Sequence, residues 1–196
     1  QYIHKDAPDR LVQLAILHAE FEALHPFLDG NGRLGRMLVP LFMAKVGLLH
    51  APMFYISAFF ERNRDEYYDR LLAVSRDGNW TGWVAFFLKA VIEQANDNLS
   101  RAQAIHVLYN ETLRRIAELT HSQYAVHAAE LLFRRPIFKA SDFYLEPTLK
   151  RASGRRILNL LQNNDFFREI RPASGRRSAV LVYKRLLNLA EGRDVF

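Results

Sequence analysis

From Thr81 to about Leu119 the chain carries no proline, and its apolar residues recur at helical spacing. A stretch of that length reads as one long helix, or two with a bend, and commits the chain to a mainly helical architecture. The segments before it agree. Asp9 to Leu24 carries two apolar stripes, Leu14, Leu17, Phe21 and Leu24 beside Val12, Ile16, Ala19 and Ala23, so this helix is expected to be central to its domain. Pro26 disfavours helical geometry at His25 and should end it there. Leu34, Met37, Leu38, Leu41 and Phe42 mark a second helix, interrupted by Pro40 and stopped at Gly47. Residues 50–60 read as strand or extended loop. A helix bearing Tyr67, Tyr68, Leu71, Leu72 and Val74 follows, capped by Asn63 or Asp65, and Asp77–Asn79 forms a turn.

The last third differs. Helices are expected from Ser122 or Gln123 to Arg134, Ser141 to Leu145 and Thr148 to Asn163, the last weakened by Gly154. Two β-prone runs then flank Ala173–Gly175. Three short helices and a hairpin follow the order of a winged helix-turn-helix. Charge divides the chain near the same place. Residues 1–100 hold 10 Lys/Arg against 12 Asp/Glu, residues 101–133 hold 3 of each, and residues 134–196 hold 14 against 6. The expected domains are therefore 1–120 and 121–196, the second with an anionic partner. Lys150, Arg151, Arg155 and Arg156 would line the recognition helix and Arg176 and Arg177 the wing tip, which makes a DNA-binding regulator one candidate function. A module that docks a protein, or a second copy in a homodimer, is the competing reading.

Several classes fall away. With no cysteine there is no disulfide scaffold, no zinc–cysteine site and no thiol nucleophile, and a reducing, cytoplasmic setting is favoured. No apolar run has bilayer-spanning length and no leader opens the chain, so no membrane partner is expected.

The chemistry concentrates in Ala23–Leu38, ALHPFLDGNGRLGRML. Gly30 and Gly32 permit positive φ and clear space for a ligand. They lead into a helix whose first N–H groups and dipole favour an anion. Arg33 and Arg36, three apart, share a side of that helix and suit phosphate oxygens. Asp29 beside such a site makes sense holding Mg²⁺ together with phosphate oxygens and water. No G-x-x-x-x-G-K-[ST] loop occurs. His25, four residues before Asp29, is placed to take a proton from an incoming hydroxyl. Phosphoryl or nucleotidyl transfer to an alcohol follows from this set. Singly, Asn-Gly is a common tight turn, a histidine at a helix end a common cap, and two arginines a common solvated face.

His25 to Arg36, HPFLDGNGRLGR, matches the Fic-family signature H-P-F-x-[DE]-G-N-G-R-x-x-R at every specified position. The resemblance continues through VPLFMAKVGLL and SAFFERNRDEYYDRLLAVSRDGNWTGWVAFFLKAV, over roughly residues 8–95. The basic tail resembles the winged-helix module often appended to bacterial members. The fold implied is mainly α: a Fic-type helical bundle followed by a small winged helix-turn-helix domain. The activity implied is transfer of AMP from ATP to a Tyr, Thr or Ser hydroxyl of a protein, the chain itself included. In these terms His25 is the base and Asp29 holds Mg²⁺. Gly30, Asn31 and Gly32 bind phosphates, Arg33 contacts the outer phosphates, and Arg36 orients the γ-phosphate. Leu34 and Gly35 complete the Mg-ATP segment, and Tyr67 and Tyr68 line the nucleoside side. Core packing is the other reading of Tyr67. A Fic-type transferase using another nucleotide or phosphate-containing donor is the nearest alternative. The family's target-docking flap should precede the motif helix, so an N-terminally truncated member is expected. The family's inhibitory pattern [ST]-x-x-x-E-[GN] does not occur in residues 1–196.

Overall fold

Asp9 opens the first helix as its sequence position requires. Its Oδ1 accepts hydrogen bonds from the Leu11 and Val12 N–H groups at 2.8 and 3.0 Å, capping α1 (Arg10–Leu24). The computed structural model describes residues 7–195. These divide into two compact units, residues 1–99 and 100–196.

The first unit holds α1, α2 (Asn31–Lys45), α3 (Ser57–Arg62), α4 (Arg64–Asp77) and the opening part of α5 (Trp80–Thr120). α2 runs through Pro40 and ends beside Gly47, which has φ 78°. Residues 50–56 form no strand; they deliver Phe54 and Ile56 to the core and pass into α3, whose Phe59 and Phe60 are buried. Asn63 sits at the start of α4, but its side chain serves the preceding helix instead: Nδ2 donates to the Phe59 carbonyl at 2.9 Å.

The core of this unit is aromatic. Trp83 is fully buried, and its indole N–H donates to the Ala15 carbonyl at 2.8 Å, tying α5 to α1. The buried face of α1 is Leu14, Ala15, His18 and Ala19, which lies between the two apolar stripes read from the sequence. The Leu17–Phe21–Leu24 stripe instead lines a groove shared with Leu38, Leu41 and Phe42 of α2, and Leu24 is 74% exposed. A polar residue, His18, therefore occupies the centre that apolar patterning assigned to leucines.

The second unit holds the remainder of α5, then α6 (Ala125–Arg134), β1 (Ile137–Lys139), α7 (Ala140–Tyr144), α8 (Arg151–Asn163), β2 (Arg168–Arg171), β3 (Val180–Val182) and α9 (Lys184–Glu191). The sheet order is β1-β3-β2, antiparallel throughout, with Phe138 opposite Leu181 and an irregularity between Glu169 and Arg171. β1 and α9 were not legible in the sequence. The division between units falls inside α5 rather than at its end near residue 120. Leu108 and Ile116 of α5 pack with Leu132, Phe143, Ile157 and Leu181, so that half of the helix shares the second core. Thr112 and Tyr183 fasten it, hydroxyl to hydroxyl, at 2.6 Å. Gly154, read as a weakness of α8, is a close-approach residue: a Cβ there would stand 3.0 Å from Tyr144 Cα. Among the described residues no helix is long and apolar enough to cross a membrane.

Candidate active site

α1 stops at His25 in the left-handed region, φ 44° and ψ 54°, with the His25 N–H donating to the Phe21 carbonyl at 3.2 Å. Pro26 makes the helical conformation unfavourable for His25, and histidine tolerates the left-handed one better than most residues. The turn leaves the imidazole exposed. Its Nδ1 lies 3.3 Å from the Glu22 carbonyl oxygen. A carbonyl can only accept, so Nδ1 carries the hydrogen and Nε2 keeps a free lone pair, the tautomer a general base requires.

Phe27 to Asn31 then folds back on itself. The Asn31 side chain is buried; its Oδ1 accepts from the Phe27 N–H at 2.9 Å and its Nδ2 donates to the Phe27 carbonyl. Asn31 thus spends its amide on the loop, and what remains for a phosphate is its backbone N–H. Gly30, φ 82°, occupies the N-cap of α2 with no side-chain cap, so the first-turn N–H groups of Asn31, Gly32 and Arg33 have no helical acceptor.

Side chains on a helix lean toward its N-terminus, and the two arginines do so here. Arg33 Nη2 lies 3.7 Å from where a Gly30 Cβ would be, and Arg36 Nη1 lies 3.1 Å from the same point at Gly32. The glycines leave the space the guanidinium groups fill. Asp29 accepts from the Gly30 N–H at 2.6 Å and stands 3.5 Å from Arg33 Nη2, with both side chains largely exposed. A pair so exposed contributes little to stability and can rearrange around a ligand. Among the described residues no group of three His, Asp or Glu is placed to hold a metal. Asp29 alone fits a metal ion whose other ligands are phosphate oxygens and water. Leu34 is partly exposed on α2, whereas Gly35 is buried and turned toward α1.

Tyr67 and Tyr68 part company. Tyr67 is 5% exposed, packs 4.7 Å from the Phe60 ring and belongs to the core. Tyr68 is 55% exposed, with the Arg64 guanidinium 5.7 Å from its ring. It stands on the wall of two hollows. One, of about 220 Å³, is lined by Arg36, Ser57, Arg64 and Tyr67. The other, of about 500 Å³, is lined by Glu22, His25, Leu71, Leu72 and Trp80.

Sequence reasoning missed His18 and Glu22. Spacing alone could have raised them, since His18, Glu22 and His25 recur at i, i+4 and i+7 on one helix. His18 Nδ1 donates to the Gly35 carbonyl at 3.1 Å, so its Nε2 accepts from the Tyr67 hydroxyl at 3.0 Å. The ring stacks on Trp83 at 5.9 Å. Burial lowers its pKa to about 4, keeping it neutral. Burial likewise pushes the Tyr67 hydroxyl up, aided by Glu22, so it stays protonated. Glu22 is raised by burial, against the opposing pull of Arg36 and His25.

A pH dependence follows from His18. Below its unfolded pKa of about 6.5 the unfolded chain takes up a proton that the folded chain refuses until about pH 4. This stabilisation is complete above pH 6.5 and is lost as pH falls toward 4, by roughly 3 kcal/mol from that pKa difference. Urea midpoints should decline across that window for the wild type and decline less for His18→Gln.

A model of the Fic/DOC family matches residues 1–43. A curated protein of Aquifex aeolicus (strain VF5), described as a probable protein adenylyltransferase, is 45% identical over 56 residues, covering 29% of this chain and 15% of that protein. The chain therefore spans only a small part of the length of this relative. The family-model match spans α1, the loop after it and most of α2, the segment that builds this site.

Proposed function

We propose that the chain transfers AMP from ATP to a hydroxyl side chain of a protein. The observation that carries the reading is the junction of α1 and α2. An exposed histidine with Nε2 free closes one helix, and six residues later an uncapped helix begins with two arginines folded over its first turn. The hydroxyl oxygen attacks the α-phosphorus as His25 Nε2 takes its proton; the bond to the bridging oxygen breaks and pyrophosphate leaves. Charge on the phosphates is met by the Asn31, Gly32 and Arg33 N–H groups and by the Arg33 and Arg36 guanidinium groups. Mg²⁺ held at Asp29 would neutralise further phosphate charge. Tyr68, the exposed member of the tyrosine pair, lines the nucleoside side. The name of the Aquifex relative supports ATP as donor. The product decides: pyrophosphate formed in step with adenylate on protein supports the reading, whereas ADP with phosphate on protein contradicts it.

A second reading concerns the second unit. α8 buries Gly154, Ile157, Leu158 and Leu161 and leaves Arg151, Arg155 and Arg156 exposed, with Lys150 at its N-cap. The β2–β3 connection carries Arg176 and Arg177, also exposed. The element order, with strands closing behind two short helices, supports a winged helix-turn-helix that lays α8 in a DNA major groove. Arg156 is partly engaged elsewhere, donating to the Thr120 carbonyl at 2.9 Å. Arg155 lies over the Tyr144 ring at 4.8 Å, a contact that leaves its N–H groups uncommitted, so Arg151 and Arg155 are the groups proposed for bases and phosphates. Arg151→Glu with Arg155→Glu should weaken binding of a fluorescent duplex by more than about tenfold at low salt and flatten its salt dependence. Equal binding by the variant contradicts the DNA reading.

A further inference from the structure

Glu22 presents a problem that the transfer chemistry above does not use. Its Oε1 is buried and has no hydrogen-bond partner among the described residues. A buried carboxylate oxygen without a donor is costly, more so than a neutral group. The carboxylate is seated against Gly35, which has no side chain to displace it, while Oε2 lies 3.9 Å from the point where a Gly32 Cβ would be. Arg36 Nη1 lies 3.1 Å from that same point, and Arg36 makes no hydrogen bond or ion pair among the described residues.

The other groups around Glu22 offer it little. His18 Nε2 is 3.9 Å from Oε1, but it is the accepting nitrogen of a neutral ring. The Tyr67 hydroxyl interacts with the carboxylate, yet its one hydrogen makes its well-formed bond to His18 and leaves Oε1 without a partner. His25, one turn on, gives its Nδ1 hydrogen to the Glu22 backbone carbonyl. Arg36 is the remaining donor, with five N–H groups in a planar fork. One edge of a guanidinium can serve a carboxylate while the other serves a phosphate.

We propose that Glu22 is a positioning residue: in the nucleotide-loaded site it takes one edge of the Arg36 guanidinium and so aims the other edge at the terminal phosphate. The inference rests on the Mg-ATP reading above. It assigns a function to the glycine at position 35 as well, since only a residue without a side chain leaves the carboxylate its seat.

The test is Mg-ATP binding to the full chain by titration calorimetry, which needs no target protein. Glu22→Gln keeps the size and removes the charge. It should raise Kd about tenfold, the effect of one lost charge-assisted contact. Arg36→Ala should raise Kd at least as far, and the double variant should bind no more weakly than Arg36→Ala alone, because the two act through one contact. Additive losses would mean that Glu22 acts only through folding and would overturn the proposal. So would unchanged or tighter binding by Glu22→Gln, the latter showing that the carboxylate competes with phosphate for Arg36. If Glu22→Gln does not fold, Glu22→Asp carries the same test, with weakened binding expected and unchanged binding contradictory. Failure of the wild-type chain to bind Mg-ATP overturns the nucleotide reading and this proposal with it; wild-type binding weakened by Arg36→Ala but untouched at Glu22 overturns this proposal alone.

Discussion

Replacing His25 with alanine should reduce transfer by roughly 10²–10⁴-fold, the usual contribution of a general base, while Mg-ATP affinity stays near the wild-type value. The two halves of this expectation have separate origins. The His25 side chain is exposed, and its hydrogen bond goes to a backbone carbonyl of its own helix, so its loss removes little packing. The groups proposed to meet the phosphates start at Asp29 and are held by Asn31 and by α2, neither of which leans on the imidazole. A variant that lost nucleotide affinity together with transfer would place His25 among the binding groups. Single-turnover rates and binding isotherms on the same preparation separate the cases.

Gly35→Ala should be the most damaging conservative change in the first unit. The added methyl group would overlap the Glu22 carboxylate and stand 3.2 Å from the Phe21 ring. It would also push against the crossing at which His18 Nδ1 donates to the Gly35 carbonyl at 3.1 Å. Overpacking of this kind costs about 1–3 kcal/mol, and loosening the bond to His18 adds to it. Urea unfolding should show a lower midpoint with an unchanged slope. Because α2 carries the N–H groups proposed to meet the phosphates, Mg-ATP affinity should fall as well. A wild-type midpoint would mean that α1 and α2 do not pack this closely.

These expectations draw on different depths of the sequence. The end of α1 at His25 and the glycine-cleared start of α2 were legible because local rules decide them: proline restricts the residue before it, and glycine admits positive φ. The long α5 was legible because its apolar spacing persists without a proline. The roles of His18 and Asn31 were not. His18 reads as one polar residue in an apolar helix until the Gly35 carbonyl and Tyr67 hydroxyl, 17 and 49 residues away, are brought to its two nitrogens. Nothing in the sequence shows that the Asn31 side-chain amide closes the Phe27 turn and leaves the backbone N–H as the group available to a ligand. Tyr67 and Tyr68 are adjacent in sequence, yet about 100° of helical rotation sends one to the core and the other to solvent. Gly154 looked like a helix defect because the backbone it must clear, at Tyr144, belongs to another helix. Local geometry was readable; partners supplied by distant chain were not.

The most direct test of the central claim follows the α-phosphorus itself. Wild-type protein and His25→Ala are incubated in parallel with Mg²⁺, a cell lysate and ATP labelled at either the α- or the γ-phosphate, and protein-bound label is measured. The account predicts that α-label is retained on protein by the wild type alone and that γ-label is not retained by either. Retention of γ-label, or of α-label at equal levels with His25→Ala, would contradict it.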